Sequence, residues 1–481
     1  KLKDKIKMTD FFIEPNVDDF TIISFNKGAE IIKRGEASVA VVMEDLKAIA
    51  KSQNFQKGPK KNITLDSLKF NKVQIFGNKK YSDSYIFGKL RFRRGEIISF
   101  DDFSRGVNNL LATNNFDSFR YSFSPRNSNA YDFTANIKET TTTSLLKFGL
   151  HYDQVLKSSV LLNFTQKQFL LQNDVLSLDL ILGDNSRFNF DYYIDKGFYW
   201  SIGFNIKRTT FKYDINPLFF DSSLPSQIDS DIPIRISDFT TEFFVETLIK
   251  KDLSFKLGAR FKQLAIEASS PSLVSVFQAS EYQIENSDFF SLNSSLKYDT
   301  LDNVFFPSDG LLFMTASELY LSASNHQNFS QFLAIKTNIA KALALSNNFS
   351  LLVGIEGGLR IGNGNVPTLN FGLGGYAHNH INNYSNMFGY DFFSLSGNSF
   401  LKAYYNMDWE FYKRHHLNFT ANFSNIGTNI FATQDWLELP RHSGFAIGYG
   451  LETIFGPIEF KYHWSPENKF KGVFVNLGYW F

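Results

Sequence analysis

No cysteine occurs anywhere in the 481 residues. Disulfides and thiolate metal sites are thereby excluded, and an oxidising compartment is neither required nor ruled out. No apolar run approaches the ~20 residues that a membrane-spanning helix needs. Net charge is only +1 at neutral pH, so no global field points to nucleic acid. The opening residues Lys1-Leu2-Lys3-Asp4-Lys5 lack the apolar core of an export signal. An exported protein must carry such a signal, so the expectation is a mature or truncated product whose true start lies upstream.

What the sequence has in abundance is aromatic side chains, with 54 Phe and 21 Tyr, at a mean hydropathy of −0.19. Transmembrane barrels combine these two properties, because every second residue faces lipid and the rest face a polar lumen. From about residue 140 onward the side-chain period is two. Leu417, Phe419, Ala421 and Phe423 alternate with Asn418, Thr420, Asn422 and Ser424. Leu401, Ala403, Tyr405, Met407, Trp409 and Phe411 alternate with Lys402, Tyr404, Asn406, Asp408 and Glu410. Such stretches reach the ~9–11 residues of a tilted spanning strand. Tight connections at 195–197, 250–252, 346–348, 413–415 and 455–457 alternate with long polar ones near 212–233, 362–398 and 425–443. Short turns on one side and long loops on the other are the outer-membrane pattern. The reading is about sixteen strands, closed by a final strand with Val473, Val475, Leu477, Tyr479 and Phe481 on one face. Tyr479 and Phe481 are assigned to the periplasmic aromatic girdle.

Ahead of the barrel, Leu68, Phe70, Val73 and Ile75 form a strand ended by Gly77-Asn78. Ser82 and Ser99 are expected to cap two helices, with Asp102 in the capping-box position. Two strands follow, through Phe119, Tyr121 and Phe123 and through Tyr131, Phe133, Ala135 and Ile137. This order resembles a polypeptide-transport-associated (POTRA) domain, which implies binding of extended peptides along an exposed sheet edge or a spacer beneath the barrel. Residues 1–55 read as mixed helix and strand, with one helix ending at Gly35 and a second carrying Val39, Val42, Met43, Leu46 and Ile49. Residues 56–62 read as a linker.

Three further resemblances narrow the family. Asp299, Asp302, Asn303, Pro307 and Gly310 are similar to the D-x-x-D-N…P-x-x-G turn of BamA-like barrels, where they serve as turn formers between hairpin strands. Leu373-Gly374-Gly375, followed by Phe388-Gly389-Tyr390, resembles that family's loop folding back into the lumen. Phe388 stands where the family has an arginine. The resemblance implies that Asp408 and Glu410 lose its charge, with Lys402 or Arg360 as candidate substitutes. Finally, Asp10 to Pro15, Phe25, and Glu30 to Ala37 are similar to the end of bacterial patatin-like phospholipase domains. Those use a Ser in G-x-S-x-G and an Asp in D-G-[GA], and neither motif is present.

His378-Asn379-His380 lacks a third metal ligand, and His415-His416 in a tight turn is expected to be solvated. Glu356, Glu452, Glu459 and Lys461, with Arg360, Lys402, Asp408 and Glu410, read as a lumen ion-pair network rather than a catalytic site. The expected fold is mainly β: an about 16-stranded antiparallel transmembrane barrel over residues 139–481, preceded by a small α+β POTRA-like domain over 63–138 and a short α/β remnant of a patatin-like domain over 1–55. The expected role is an outer-membrane anchor or exporter for an amino-terminal patatin-like acyl hydrolase whose catalytic pair lies outside this chain. The alternatives are a BamA/TamA-like insertion or secretion factor and a structural or pore subunit of an envelope complex. No cofactor or metal is implied. Expected partners are outer-membrane lipids, the outer-membrane assembly machinery and extended peptides on the POTRA-like edge, with the amino-terminal domains in the periplasm.

Overall fold

The computed structural model describes residues 6–20, 27–53, 67–92, 95–127, 130–196, 200–215, 219, 231–250, 252–269, 281–364, 366–376, 383–467 and 470–479. The linker at 56–62, the 378–380 triplet and Phe481 lie outside the described residues. The chain divides into two compact units, Lys1–Asp66 and Ser67–Phe481.

In the first unit, the described residues include the helices α1 (Gly28–Ala40) and α2 (Met43–Ser52). The sequence reading ended the first helix at Gly35, but the helix runs through it. Gly35 does not adopt the positive φ of a helix stop, and glycine inside a helix costs only about 1 kcal/mol. The second helix accordingly starts at Met43, not Val39. The strand expected in 1–55 is not found among the described residues of that unit. Neither helix has a buried residue, and Ile32, Val41, Met43 and Ile49 are exposed.

The second unit opens with a small α+β module. It comprises β1 (Ser67–Phe76), α3 (Asp83–Leu90), β2 (Ile97–Ser99), α4 (Phe100–Ala112), β3 (Phe116–Asn127) and β4 (Ala130–Glu139). The sheet order is β2-β1-β4-β3. A register shift between Phe70 and Lys72 explains why the apolar residues of β1 change parity from Leu68 and Phe70 to Val73 and Ile75. Ser82 Oγ accepts from Tyr85 N, and Ser99 Oγ from Asp102 N. Gly77 turns the chain at φ +92°, where a Cβ would lie 2.1 Å from the Ile137 carbonyl oxygen. Phe70, Phe92, Phe103 and Phe133 form the sealed aromatic core, with the Phe70 and Phe92 ring centroids 4.8 Å apart. The short β2 was not legible in sequence.

The barrel begins with β5 (Ser144–Asp153), β6 (Lys157–Lys167), β7 (Asp174–Gly183), β8 (Arg187–Ile194) and β9 (Ser201–Ile215). It continues with β10 (Ile232–Lys250), β11 (Leu253–Ser269), β12 (Glu281–Asp299), β13 (Gly310–Ala323), β14 (Phe332–Ser346) and β15 (Phe349–Gly362). Three short strands, β16 (Phe371–Leu373), β17 (Tyr384–Ser385) and β18 (Leu395–Gly397), belong to the loop that follows. β19 (Ser399–Tyr412), β20 (His415–Gly427), β21 (His442–Thr453), β22 (Gly456–Trp464) and β23 (Lys471–Leu477) complete a closed antiparallel ring of sixteen strands. The fold class expected from sequence is therefore the one found.

Alternation fixes the two faces. On β20, Asn418, Thr420, Asn422 and Ser424 are buried in the lumen while Leu417 is exposed. The inward face is not polar throughout. Along β10, Ile232, Ile234 and Ile236 precede Asp238 and Glu242 on the same buried face. Part of the lumen therefore holds an apolar core. The module is tied to the barrel by Lys167, whose Nζ donates to Asn115 Oδ1 at 2.8 Å and to the Asn114 carbonyl at 3.0 Å. Lys89 and Asp195 pair at 2.7 Å.

Candidate functional site

The connection from Gly362 to Ser399 folds into the lumen. It builds its own small sheet from β16, β17 and β18. Leu373, Gly374, Gly375, Phe388, Gly389 and Tyr390 are all buried, and the structure brings the two halves of this motif together. Gly375 N donates to the Tyr390 carbonyl at 2.8 Å, and Met387 N to the Gly375 carbonyl at 2.9 Å. Gly374 has φ +132°, and a Cβ there would meet the Asp391 carbonyl oxygen at 1.9 Å. Only glycine permits that approach.

Cations of the barrel wall hold the loop. Lys402 Nζ lies 2.6 Å from Glu356 Oε2. It also donates to Ser385 Oγ at 2.7 Å and to the Asn386 carbonyl at 2.8 Å. Lys336 pairs with the same Glu356 at 3.2 Å. At the Phe388 end, Lys461 Nζ stands 4.7 Å from the Tyr376 ring centroid and 5.5 Å from that of Phe388. Phe388 N donates to Asn422 Oδ1 at 2.9 Å, and Gly389 N to His463 Nδ1 at 3.0 Å. The four charges singled out from sequence are not one cluster. Lys402 grips the loop. Arg360 sits at its root, donating to the Val366 carbonyl at 3.3 Å. Asp408 and Glu410 lie at the module end of the lumen. Lys336, Ser385 and Asn386 were missed; Lys336 could have been found from its inward parity, but the loop residues carry no periodicity.

The Asp299-to-Gly310 turn does more than join β12 to β13. Asp302 Oδ1 accepts from Ser308 N at 2.8 Å and Asp309 N at 3.1 Å. Asn303 Oδ1 accepts from Phe305 N and Phe306 N. Gly310 leaves the turn at φ +117°. So braced, the turn reaches across the module-side mouth. Asn303 Nδ2 donates to Glu452 Oε1 on β21 at 2.6 Å. Ser350 Oγ bonds the Pro307 carbonyl at 3.4 Å. The Phe306 ring stacks on His416, centroids 4.0 Å apart and planes 9° apart. His416 was expected to be solvated, and this is corrected: it is 5% exposed. The even positions of β20 point inward, so its Nδ1 meets Asp408 Oδ2 at 2.7 Å.

The ring closes between β23 and β5 through Asn476↔Asp153 and Leu477↔Tyr152, two register pairs among the described residues. The flanking ladders have seven and ten. On β23, Phe474 and Asn476 face the lumen, Val473 and Val475 are half-buried, and Leu477 and Tyr479 are exposed.

The sequence model of the OMP85 superfamily matches residues 131–481. The chain belongs to this superfamily. A POTRA model, described as a surface antigen variable number repeat, matches residues 68–140. The OMP85 barrel is similar to the crystal structure of BamA from Haemophilus ducreyi lacking POTRA domains 1–3, with TM-score 0.61 and 16% identity, covering 85% of this chain and 84% of that one. It is also similar to CdiB from Acinetobacter baumannii, with TM-score 0.53 and 12% identity, covering 86% and 74%. No curated protein sequence matches the chain. An OMP85 barrel with a POTRA domain is an outer-membrane protein with that domain in the periplasm, so the mouth spanned by the 300–309 turn is the periplasmic one.

Proposed function

We propose that this barrel anchors or exports a lipid acyl hydrolase of the patatin-like kind, of which residues 1–55 form the end. The observation that carries the reading is the helix pair α1 and α2. Both have apolar residues and an acid in the first turn, yet neither buries a side chain. A helix pair that seals nothing is a poor fold by itself and a reasonable last piece of a larger one. The lumen supports an anchoring role, because a loop occupies it from one end and a turn crosses it at the other. The sequence upstream of Lys1 tests this reading. A G-x-S-x-G elbow followed by a D-G-[GA] segment is expected, and its absence defeats the proposal.

A second reading is favoured by the seam, which has two register pairs among the described residues. A barrel so lightly closed can part there and offer strand edges to another polypeptide. This is the BamA/TamA-like role of insertion or secretion within an envelope assembly. The phenylalanine at position 388 departs from that family's arginine, and for this reason the anchor reading stands first.

A further inference from the structure

Several carboxylates of the lumen are matched by lysine or arginine. Glu242 meets Lys256 at 2.7 Å and Arg260 at 2.9 Å, Glu318 meets Arg260 at 2.8 Å, and Asp238 meets Lys262 at 2.8 Å. Glu356 and Glu459 are paired likewise. Four carboxylates at the periplasmic mouth are not matched in this way. Beside the 300–309 turn opens a pocket of about 450 Å³ walled by Asp302, Asp408, Glu410 and Glu452, and no lysine or arginine lines it. Among the described residues, none of these four carboxylates makes an ion pair with lysine or arginine. Arg414 lines a neighbouring pocket of about 430 Å³ that shares the turn.

Two atoms at this pocket are buried without partners. Asp408 is 5% exposed, and its Oδ1 makes no hydrogen bond, although Oδ2 takes His416 Nδ1. His416 Nε2 is likewise unmatched. A buried carboxylate oxygen left unmatched in this way is costly unless a donor arrives. The acids do not converge on a point: no group of three or more His, Asp or Glu side chains among the described residues could hold a metal ion. A chelated ion does not fit, whereas a cation that spreads its donors over a longer body does. We propose that this pocket binds an aliphatic ammonium or guanidinium cation, anchored by Asp408 and resting against the Phe306–His416 stack. The same chemistry is offered by a free polyamine and by a lysine or arginine side chain of a polypeptide at the mouth.

Isothermal titration of the full chain in lipid nanodiscs tests this with putrescine, spermidine and N-acetyl-lysine amide, at constant ionic strength set with potassium chloride. Saturable binding is expected, weakened about tenfold or more by Asp408→Asn, which removes one charge-assisted contact. It should be unchanged by Glu438→Gln, whose carboxylate pairs with Arg441 beyond the opposite end of the barrel. Glu410→Gln serves as a second pocket variant should Asp408→Asn fail to fold, and a weakening of the same sign is expected. Binding of the free diamine marks a polyamine site, and binding of the lysine amide alone marks a polypeptide site. No saturable binding, equal binding by the pocket variants, or displacement by magnesium at equal ionic strength overturns the proposal.

Discussion

Lys402 and Glu356 stand directly opposite each other on neighbouring strands, with Nζ and Oε2 2.6 Å apart and both side chains nearly sealed from solvent. Around this pair the loop places Ser385 and the Asn386 carbonyl, so the cation belongs to the wall and the acceptors to the loop. Beside Phe388 of the loop the wall places Lys461. The loop is held in the lumen by positive charge delivered from the wall.

Lys402→Met leaves Glu356 buried with a weaker partner. Removing one member of a buried pair costs about 3–5 kcal/mol. Faster proteolysis of the 376–390 segment and a lower unfolding temperature in detergent are expected. Adding Glu356→Gln to the same chain should recover part of the loss, and no difference between single and double variants would contradict the pairing.

Phe388→Arg brings a guanidinium against Lys461 and should loosen the loop. Lys461→Glu should be harmful by itself and should rescue Phe388→Arg. A cation over an aromatic ring contributes about 0.5–2 kcal/mol. A double-mutant cycle read by thermal unfolding measures the coupling, and additive effects would show that the ring and the ammonium do not interact.

The turn across the mouth should be sensitive to acid. Burial pushes the Asp302 carboxyl up, but the Ser308 hydroxyl and the amides of Asp309 and Ser308 outweigh it, and the net shift is downward. A carboxylate held below its unfolded value of about 3.9 stabilises fully above that value and loses this contribution as pH falls through the lower, folded one. Channel conductance in planar bilayers should therefore rise at strongly acidic pH on the periplasmic side. Asp302→Asn should show raised conductance at neutral pH with that acid step diminished.

The absence of native cysteine makes the seam easy to lock. Tyr152→Cys with Leu477→Cys places two thiols on a register pair, whose Cα spacing of roughly 4.5–5.5 Å suits a disulfide. Oxidation should leave anchoring of an attached domain unaffected. Loss of client assembly or secretion on oxidation, restored by reductant, would favour the insertion or secretion reading.

The sheet was legible because one residue in two tells the same story for many strands. Asn418 to Ser424 announce an inward polar face, and the family turn and loop stand out by their glycines and aspartates. Three features were hidden for physical reasons. Ile232, Ile234 and Ile236 share a face with Asp238, and a two-residue period cannot distinguish an apolar lumen from lipid. His416 lies one residue beyond a tight turn, where parity, not neighbourhood, decides its burial. Phe306 meets His416 from more than a hundred residues away, and no local pattern encodes such a contact. Gly35 misled in the opposite direction, since a glycine interrupts a helix only when the backbone uses its freedom.

Fatty-acid release from phosphatidylethanolamine vesicles is the most direct measurement. It compares the complete gene product, with whatever precedes Lys1, against a chain of residues 67–481, both embedded in membranes. Release by the complete product, sedimenting with the barrel, and none by the shorter chain, is expected. No release by the complete, folded product, or equal release by both, would contradict it.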